Sequence, residues 1–170
     1  MINTERLKLI PCGLKHFEAF ARSENELAKT LGVSIVEKWL VFPEAMTFGY
    51  EYLKKNPDAE NWWTYLFISK ADKKLVGNGG FKGKPDENGT VEIGYAVAPE
   101  YRGKGLATEA AKGLIDFAFL HPQIKSVQAH TLAEENESTK VLRKVGMTFV
   151  KELHDDEDGD IWQWQLSAKF

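Results

Sequence analysis

Cys12 is the only cysteine in the 170 residues, so no disulfide can form within the chain. Its neighbours Ile10, Pro11 and Gly13 mark it as a small packing residue at a strand end. No apolar run approaches membrane-spanning length, and the N-terminus lacks a charged-then-apolar leader. The expectation is a cytoplasmic protein with no membrane partner. A basic surplus is missing too: 22 Lys and Arg stand against 25 Asp and Glu, a net charge of −3. That disfavours a nucleic-acid partner, which requires a broad basic face. Any anion must therefore be held by local geometry and local charge. His16, His121, His130 and Glu135 show no metal-ligand spacing, and no metal is expected. With no repeat, linker or low-complexity stretch, residues 1–170 read as a single domain.

What is present is a mixed α/β pattern. Thr4 to Ile10 alternates as a first strand, and Leu14 to Leu31 carries apolar residues at helical spacing, as one interrupted helix or two short ones. Gly32 is a stop, and Pro43 opens a helix over Glu44–Lys55. Trp62–Ser69, Leu75–Phe81 and Val91–Val97 form an antiparallel meander. A helix over Gly103–Phe119, a strand over Ser126–Thr131 and a helix over Asn136–Val145 follow. A closing strand pair, Met147–Glu152 and Ile161–Leu166, brackets an acidic loop at 155–160.

The segment Val97–Ala111 runs from strand through Arg102-Gly103-Lys104-Gly105 into a helix. The first amides of a helix lack internal partners, and the helix dipole makes that end positive. Glycine at 103 and 105 lets an anion approach the backbone and permits positive φ. Arg102 and Lys104 add charge, and the Thr108 hydroxyl lies one turn in. The arrangement suits a phosphate or pyrophosphate. A triphosphate-binding loop is excluded because its Gly, four-residue, Gly-Lys-Ser/Thr spacing is absent. A dinucleotide fingerprint is excluded because Thr108 stands where a third glycine is needed and no early βαβ unit exists.

Arg102-Gly103-Lys104-Gly105-Leu106-Ala107 resembles the Gln/Arg-x-x-Gly-x-Gly/Ala signature of the GNAT superfamily of N-acetyltransferases. The run from Glu92 to Tyr95 and on through Ala110, the opening Thr4–Ile10, and Asn136-Glu137-Ser138 leading to Met147 are similar to its RimJ/RimL-type branch. The resemblance implies a mostly antiparallel sheet flanked by helices, with two central parallel strands that splay apart: the strand ending at Val97 and the strand 126–131. It implies acetyl-coenzyme A as cosubstrate, its pantetheine arm pairing with the backbone at Tyr95, Ala96 and Val97. Its pyrophosphate would be held by Arg102, Gly103, Lys104, Gly105, Leu106 and Ala107, and Asn136 matches the family position that reaches the arm.

Acetyl transfer to an amine needs a neutral nucleophile, a stabilised carbonyl oxygen and a departing thiolate. Alternation places Glu92, Gly94 and Ala96 on one strand face, leaving room beside a carboxylate, and Glu92 is the candidate base. It could act directly, through a water, or by attracting a cationic substrate. A strand N–H near Tyr95 or Ala96 is the candidate oxyanion donor. Where many family members place a Tyr acid on the last helix, Leu142 stands here; Ser138 is the candidate acid, or with Asn136 a helix cap. Trp39, Phe42, Phe48, Tyr50, Trp62 and Trp63 are candidates for an acceptor pocket, or for the core. Arg143, Lys140 and Lys144 stay unassigned as a solvated helix face. The expected activity is acetylation of a primary amine, on a protein N-terminus or a small molecule. A non-catalytic acyl-coenzyme A sensor or scaffold is the alternative, and edge strands leave a homodimer open.

Overall fold

The computed structural model describes residues 1–169. One nine-stranded sheet organises the chain, built from β1 (Ile2–Asn3), β2 (Leu7–Pro11), β3 (Ser34–Ile35), β4 (Thr64–Ser69), β5 (Lys74–Phe81), β6 (Thr90–Val97), β7 (Ser126–Leu132), β8 (Thr148–Asp155) and β9 (Gly159–Ser167). The spatial order is β1-β2-β4-β5-β6-β7-β9-β8, with β3 pairing beside β5. Pairing is antiparallel except for β6 with β7 and the short β3 with β5. Five α-helices flank it: α1 (Leu14–Arg22), α2 (Glu24–Leu31), α3 (Pro43–Lys55), α4 (Leu106–Phe119) and α5 (Glu137–Lys144). The mostly antiparallel sheet with a central parallel pair is the architecture expected.

Local chemistry sets the boundaries. Ser23 is fully extended, ending α1, and its side chain accepts the Glu26 amide to start α2. Gly32 adopts φ 69°, and the amides of Gly32 and Val33 close onto the last turn of α2. β4 is buried along its whole length and runs through the centre of the core. Its neighbour β5 needs Gly80, whose φ is +130° and where a Cβ would lie 2.1 Å from the Trp63 carbonyl oxygen. The apolar side of α4, with Leu106, Ala110, Ala111, Leu114, Ile115 and Ala118, is buried.

The boundaries depart from expectation in four places. Thr4–Arg6 is a turn rather than the start of a strand, because the Thr4 amide bonds the Leu7 carbonyl and frees these side chains for a distant partner. Trp62 ends a 3₁₀ segment, Pro57–Trp62, rather than opening β4. α4 begins at Leu106 rather than Gly103, since positive φ at Gly103 and Gly105 is incompatible with a helix. The acidic stretch is a tight hairpin: Asp155 pairs with Gly159, and the Asp155 carboxylate takes the amides of Glu157 and Asp158.

Cys12 is buried, and that burial, with the Glu60 charge, pushes its thiol far up and keeps it unreactive. His16 is buried as well, with Nδ1 accepting the Gly13 amide at 3.0 Å to cap α1. Burial, aided by Lys15, lowers its pKa from 6.5 to about 4. The folded chain thus holds His16 neutral while the unfolded chain protonates it first. The stabilisation is present above pH 6.5 and lost as pH falls towards about 4. We expect the urea midpoint to fall across that window, by up to about 3 kcal/mol of stability. His16→Gln, which keeps a capping acceptor, should remove most of the dependence when midpoints are measured from pH 7 to 4.

Candidate active site

The site begins where two parallel strands part. β6 and β7 stay in register for three pairs only, Thr90 with Ser126, Val91 with Val127 and Glu92 with Gln128. Beyond Glu92 the strands diverge, while β5 continues to pair β6 as far as Val97. Backbone direction follows from two bonds: the Glu92 carbonyl accepts from the Lys82 amide, and the Ala98 amide donates to Val76, both towards β5. Alternation then turns the amides of Tyr95 and Val97 into the gap and that of Ala96 away from it. Ala96, expected to pair with the pantetheine arm, thus has its backbone amide on the β5 side, where it pairs with Asn78. Arg102 Nε donates to the Val97 carbonyl at 3.3 Å, which leaves the Val97 amide as that residue's open group.

Side chains alternate as expected. Glu92 projects on the face bordered by α3, where its Oε1 lies 2.9 Å from His130 Nδ1 and 2.5 Å from Lys82 Nζ. Burial is the largest influence on its carboxyl and pushes the pKa up. Hydrogen bonds and charge from Lys82 and then His130 outweigh it, so the carboxyl stays ionised below its usual range. Tyr95 projects on the opposite face, where its hydroxyl lies 3.4 Å from Ser138 Oγ and donates to the Ser138 carbonyl at 3.3 Å. Burial raises the Tyr95 hydroxyl to about 12, against the opposing Ser138 bond. Glu92 and Ser138, the two candidate catalytic groups, thus stand on opposite faces of the sheet. A cavity of about 380 Å³ lies at the gap, lined by Gly94, Tyr95, Ala129 and His130 from the strands and by α3 and Ser138. Glu92 stands behind that lining and meets it through His130 and Lys82.

At the C-terminal end of β6 the turn is built for an anion. Gly103 has φ 73°, Gly105 has φ 79°, and as N-cap Gly105 offers no side chain to the first amides of α4. Among the described residues no acceptor receives the backbone amides of residues 103–108. Six donors on an exposed turn, the positive helix end, and the flanking Arg102 and Lys104 are together the features that suit an anion. Leu106 itself is buried; its amide, and those of Ala107 and Thr108, lie at the helix entry.

That turn is held from the other end of the chain. Glu109 Oε1 accepts from the Thr4 hydroxyl at 2.5 Å and the Arg6 amide at 2.6 Å, and Oε2 accepts from Arg6 Nε at 2.7 Å. Arg6 Nη1 then donates to the Lys104 carbonyl at 2.7 Å. Burial raises the Glu109 carboxyl, but Thr4 and Arg6 hold it below its ordinary value.

Asn136 and Thr139 cap α5 reciprocally at 3.0 Å each way, so Ser138 is released from capping. The Asn136 side-chain oxygen is committed to the cap, leaving its amide nitrogen to reach outward. Arg143 is paired with Glu135 by two 2.6 Å bonds and Lys140 with Glu137, on an exposed helix face. Of the aromatic candidates, Phe42, Phe48 and Trp63 line the cavity, whereas Trp39 and Trp62 are core residues and Tyr50 lies outside the lining. Arg6, Lys82, Glu109 and His130 were not singled out for the site from sequence. His130 sits two residues beyond Gln128 on the same strand face, but the register that brings it to Glu92 belongs to the pairing of two distant strands.

Comparison with known proteins places this geometry. The family described as Acetyltransferase (GNAT) domain matches residues 6–148. The uncharacterized N-acetyltransferase YjdG of Bacillus subtilis (strain 168) is 31% identical over 148 residues, 86% of this chain and 88% of that protein. Among solved structures, a GNAT-family acetyltransferase from Bacillus anthracis superposes with TM-score 0.66 at 24% identity, covering 98% of this chain and 97% of its own. RimL, a ribosomal L7/L12 alpha-N-protein acetyltransferase in complex with coenzyme A, superposes with TM-score 0.70 at 15% identity, covering 96% and 95%. These two likenesses are likenesses of fold.

The Arg6–Glu109 clamp makes a prediction about the turn alone. In Arg6→Ala, amide hydrogen exchange at Gly103–Gly105 should accelerate about tenfold, the response to losing roughly 1.4 kcal/mol of local stability, while β4 amides keep their protection. Unchanged exchange in the turn would show that it is rigid without the clamp.

Proposed function

The chain belongs to the GNAT family of acetyltransferases, and from that premise we propose that it transfers the acetyl group of acetyl-coenzyme A to a primary amine in a ternary complex. The observation that carries this reading is the continuity of two sets of unpartnered amides. Those of residues 103–108 suit a pyrophosphate, and those of Val97 and Tyr95 continue from them down the open edge of β6 to the cavity. A phosphorylated, amide-bearing arm ending in a thioester is a ligand that uses both sets. Asn136, through its free side-chain nitrogen, is a further donor to that arm. The presence of coenzyme A in the similar RimL structure supports coenzyme A as the ligand.

On this chain's residues the chemistry divides by face. The amine enters from the α3 side, where the Glu92 carboxylate fixes His130 through Nδ1 and leaves Nε2 facing the cavity. His130 takes the ammonium proton, with Glu92 as the group that orients and balances it. Glu92, ionised but held by Lys82 and His130, acts through the imidazole. The Tyr95 amide, directed into the gap, stabilises the developing oxyanion. The Tyr95 hydroxyl, kept protonated by burial and lying against Ser138, donates to the departing thiolate from the other side. The absence of a helix Tyr at Leu142 is thereby made good from β6. The acceptor is a small-molecule amine or a protein N-terminus, the latter being what the similar RimL acetylates.

Two experiments test this. Gly105→Asp places a carboxylate among the turn amides and should weaken coenzyme A binding at least a hundredfold by calorimetry, with the thermal midpoint within a few degrees of wild type. Unchanged affinity would move the pyrophosphate elsewhere. In thiol-release assays with a panel of amines, His130→Asn should lower kcat about a hundredfold, and Glu92→Gln should lower it less, with the KM for acetyl-coenzyme A steady in both. Wild-type turnover in both variants would remove the base assignment. Coenzyme A affinity with no thiol release on any amine would make the protein a sensor.

A further inference from the structure

We infer that the acceptor is a monoamine carried on an aromatic body, an arylalkylamine in chemical class, and that Phe48 and Trp63 select it. The inference rests on the acetyl-transfer reading of the same cavity. Its apolar wall is Phe42, Phe48, Trp63 and Phe81. Trp63 is fixed: it stacks on Tyr52 at 4.2 Å, and its Nε1 donates to the Ala45 carbonyl, so the ring presents a satisfied, apolar surface. Phe48 stands at the cavity with 65% of its surface exposed, an unusual position for a large ring on the first turns of a helix. A benzene ring occupies an apolar cavity of about 150 Å³, so 380 Å³ holds an aryl group together with the amine and the acyl end it attacks.

Polar groups argue against the other amine classes. Among the lining residues the carboxylate is Glu44, and Lys82 faces the same space, its charge matched by Glu92. A polyamine would bring its further ammonium groups towards Lys82, with Glu44 as the one lining carboxylate to balance them. Asn78 is consumed, its Oδ1 accepting the Val41 amide and its Nδ2 turned to the Phe42 carbonyl. Against the wall of Phe42, Phe48, Trp63 and Phe81 the hydroxyls of a polyhydroxylated amine would find no partner, which disfavours it there. One ammonium, drawn in past Glu44 and Glu92, and one flat apolar group match what the walls offer.

The shared chemistry has two sources, a free arylalkylamine or a peptide whose N-terminal residue is aromatic, and the experiment has an arm for each. With acetyl-coenzyme A saturating, kcat/KM is measured for phenethylamine, ethylamine, spermidine, tobramycin, and the tripeptide amides Phe-Ala-Ala and Ser-Ala-Ala. Phenethylamine should exceed ethylamine on the order of a hundredfold, the factor that burying one phenyl ring supplies. Phe48→Ala should narrow that ratio about tenfold. A peptide source is indicated if Phe-Ala-Ala exceeds phenethylamine. Spermidine, tobramycin or Ser-Ala-Ala as the best acceptor would overturn the inference, as would a phenethylamine-to-ethylamine ratio near one. Calorimetry of phenethylamine on the coenzyme A-saturated protein separates this from the transfer reading. Phe48-dependent binding without turnover would uphold the aromatic pocket and sink transfer, whereas absence of binding would sink the pocket.

Discussion

The parting of β6 from β7 after the Glu92–Gln128 pair is the constraint from which the site follows. Within a sheet, unpaired backbone groups are costly, and a central strand is ordinarily bonded on both sides. Here β6 keeps its bonds to β5 and surrenders those to β7, which leaves the Tyr95 and Val97 amides without a strand partner. The same divergence opens a passage between faces, so that Tyr95 reaches the cavity directly and Glu92 acts on it through His130 and Lys82. Their ordinary ranges already set a carboxyl and a phenol apart; Lys82 and His130 hold Glu92 lower still against its burial, and burial pushes Tyr95 higher. Two faces of one strand thus hold opposite protonation states at the same pH.

Much of this was legible from the residues in order. Gly103 and Gly105 ahead of an apolar helix marked the turn itself, because positive φ and a bare helix entry are properties of the local chain. The alternation over Val91–Val97 was legible for the same reason, and it put Glu92 and Tyr95 on opposite faces. The divergence of two strands is a tertiary fact, and it came from resemblance rather than from spacing. So His130, brought to Glu92 by parallel pairing across 38 positions, went unassigned. The parity that excludes the Ala96 amide also depended on which neighbour β6 bonds first, a choice that side-chain pattern does not encode. Thr4–Arg6 looked like strand because its alternation is real; the turn forms because Glu109 offers a carboxylate to three donors there.

The cavity walls show why composition alone said little about the acceptor. Five Trp and ten Phe supply both core and pocket, and only packing distinguishes them. Trp62 meets Phe81 and His121 edge-on and Phe117 at a tilt, and belongs to the interior. Its neighbour Trp63 turns to the other side, onto Tyr52, and faces the opening. Adjacent identical residues serve different purposes because the chain is entering a strand, where successive side chains part company.

The bond from Arg6 to the Lys104 carbonyl has a consequence for what kind of object the glycine turn is. A synthetic fragment spanning residues 97–110 would contain every amide and both glycines, yet nothing to freeze them, since the restraint arrives from a segment made nearly a hundred positions earlier. The turn is thus not a portable module. Grafting it onto another scaffold with its restraint intact would require carrying the threonine, the arginine and their carboxylate with it.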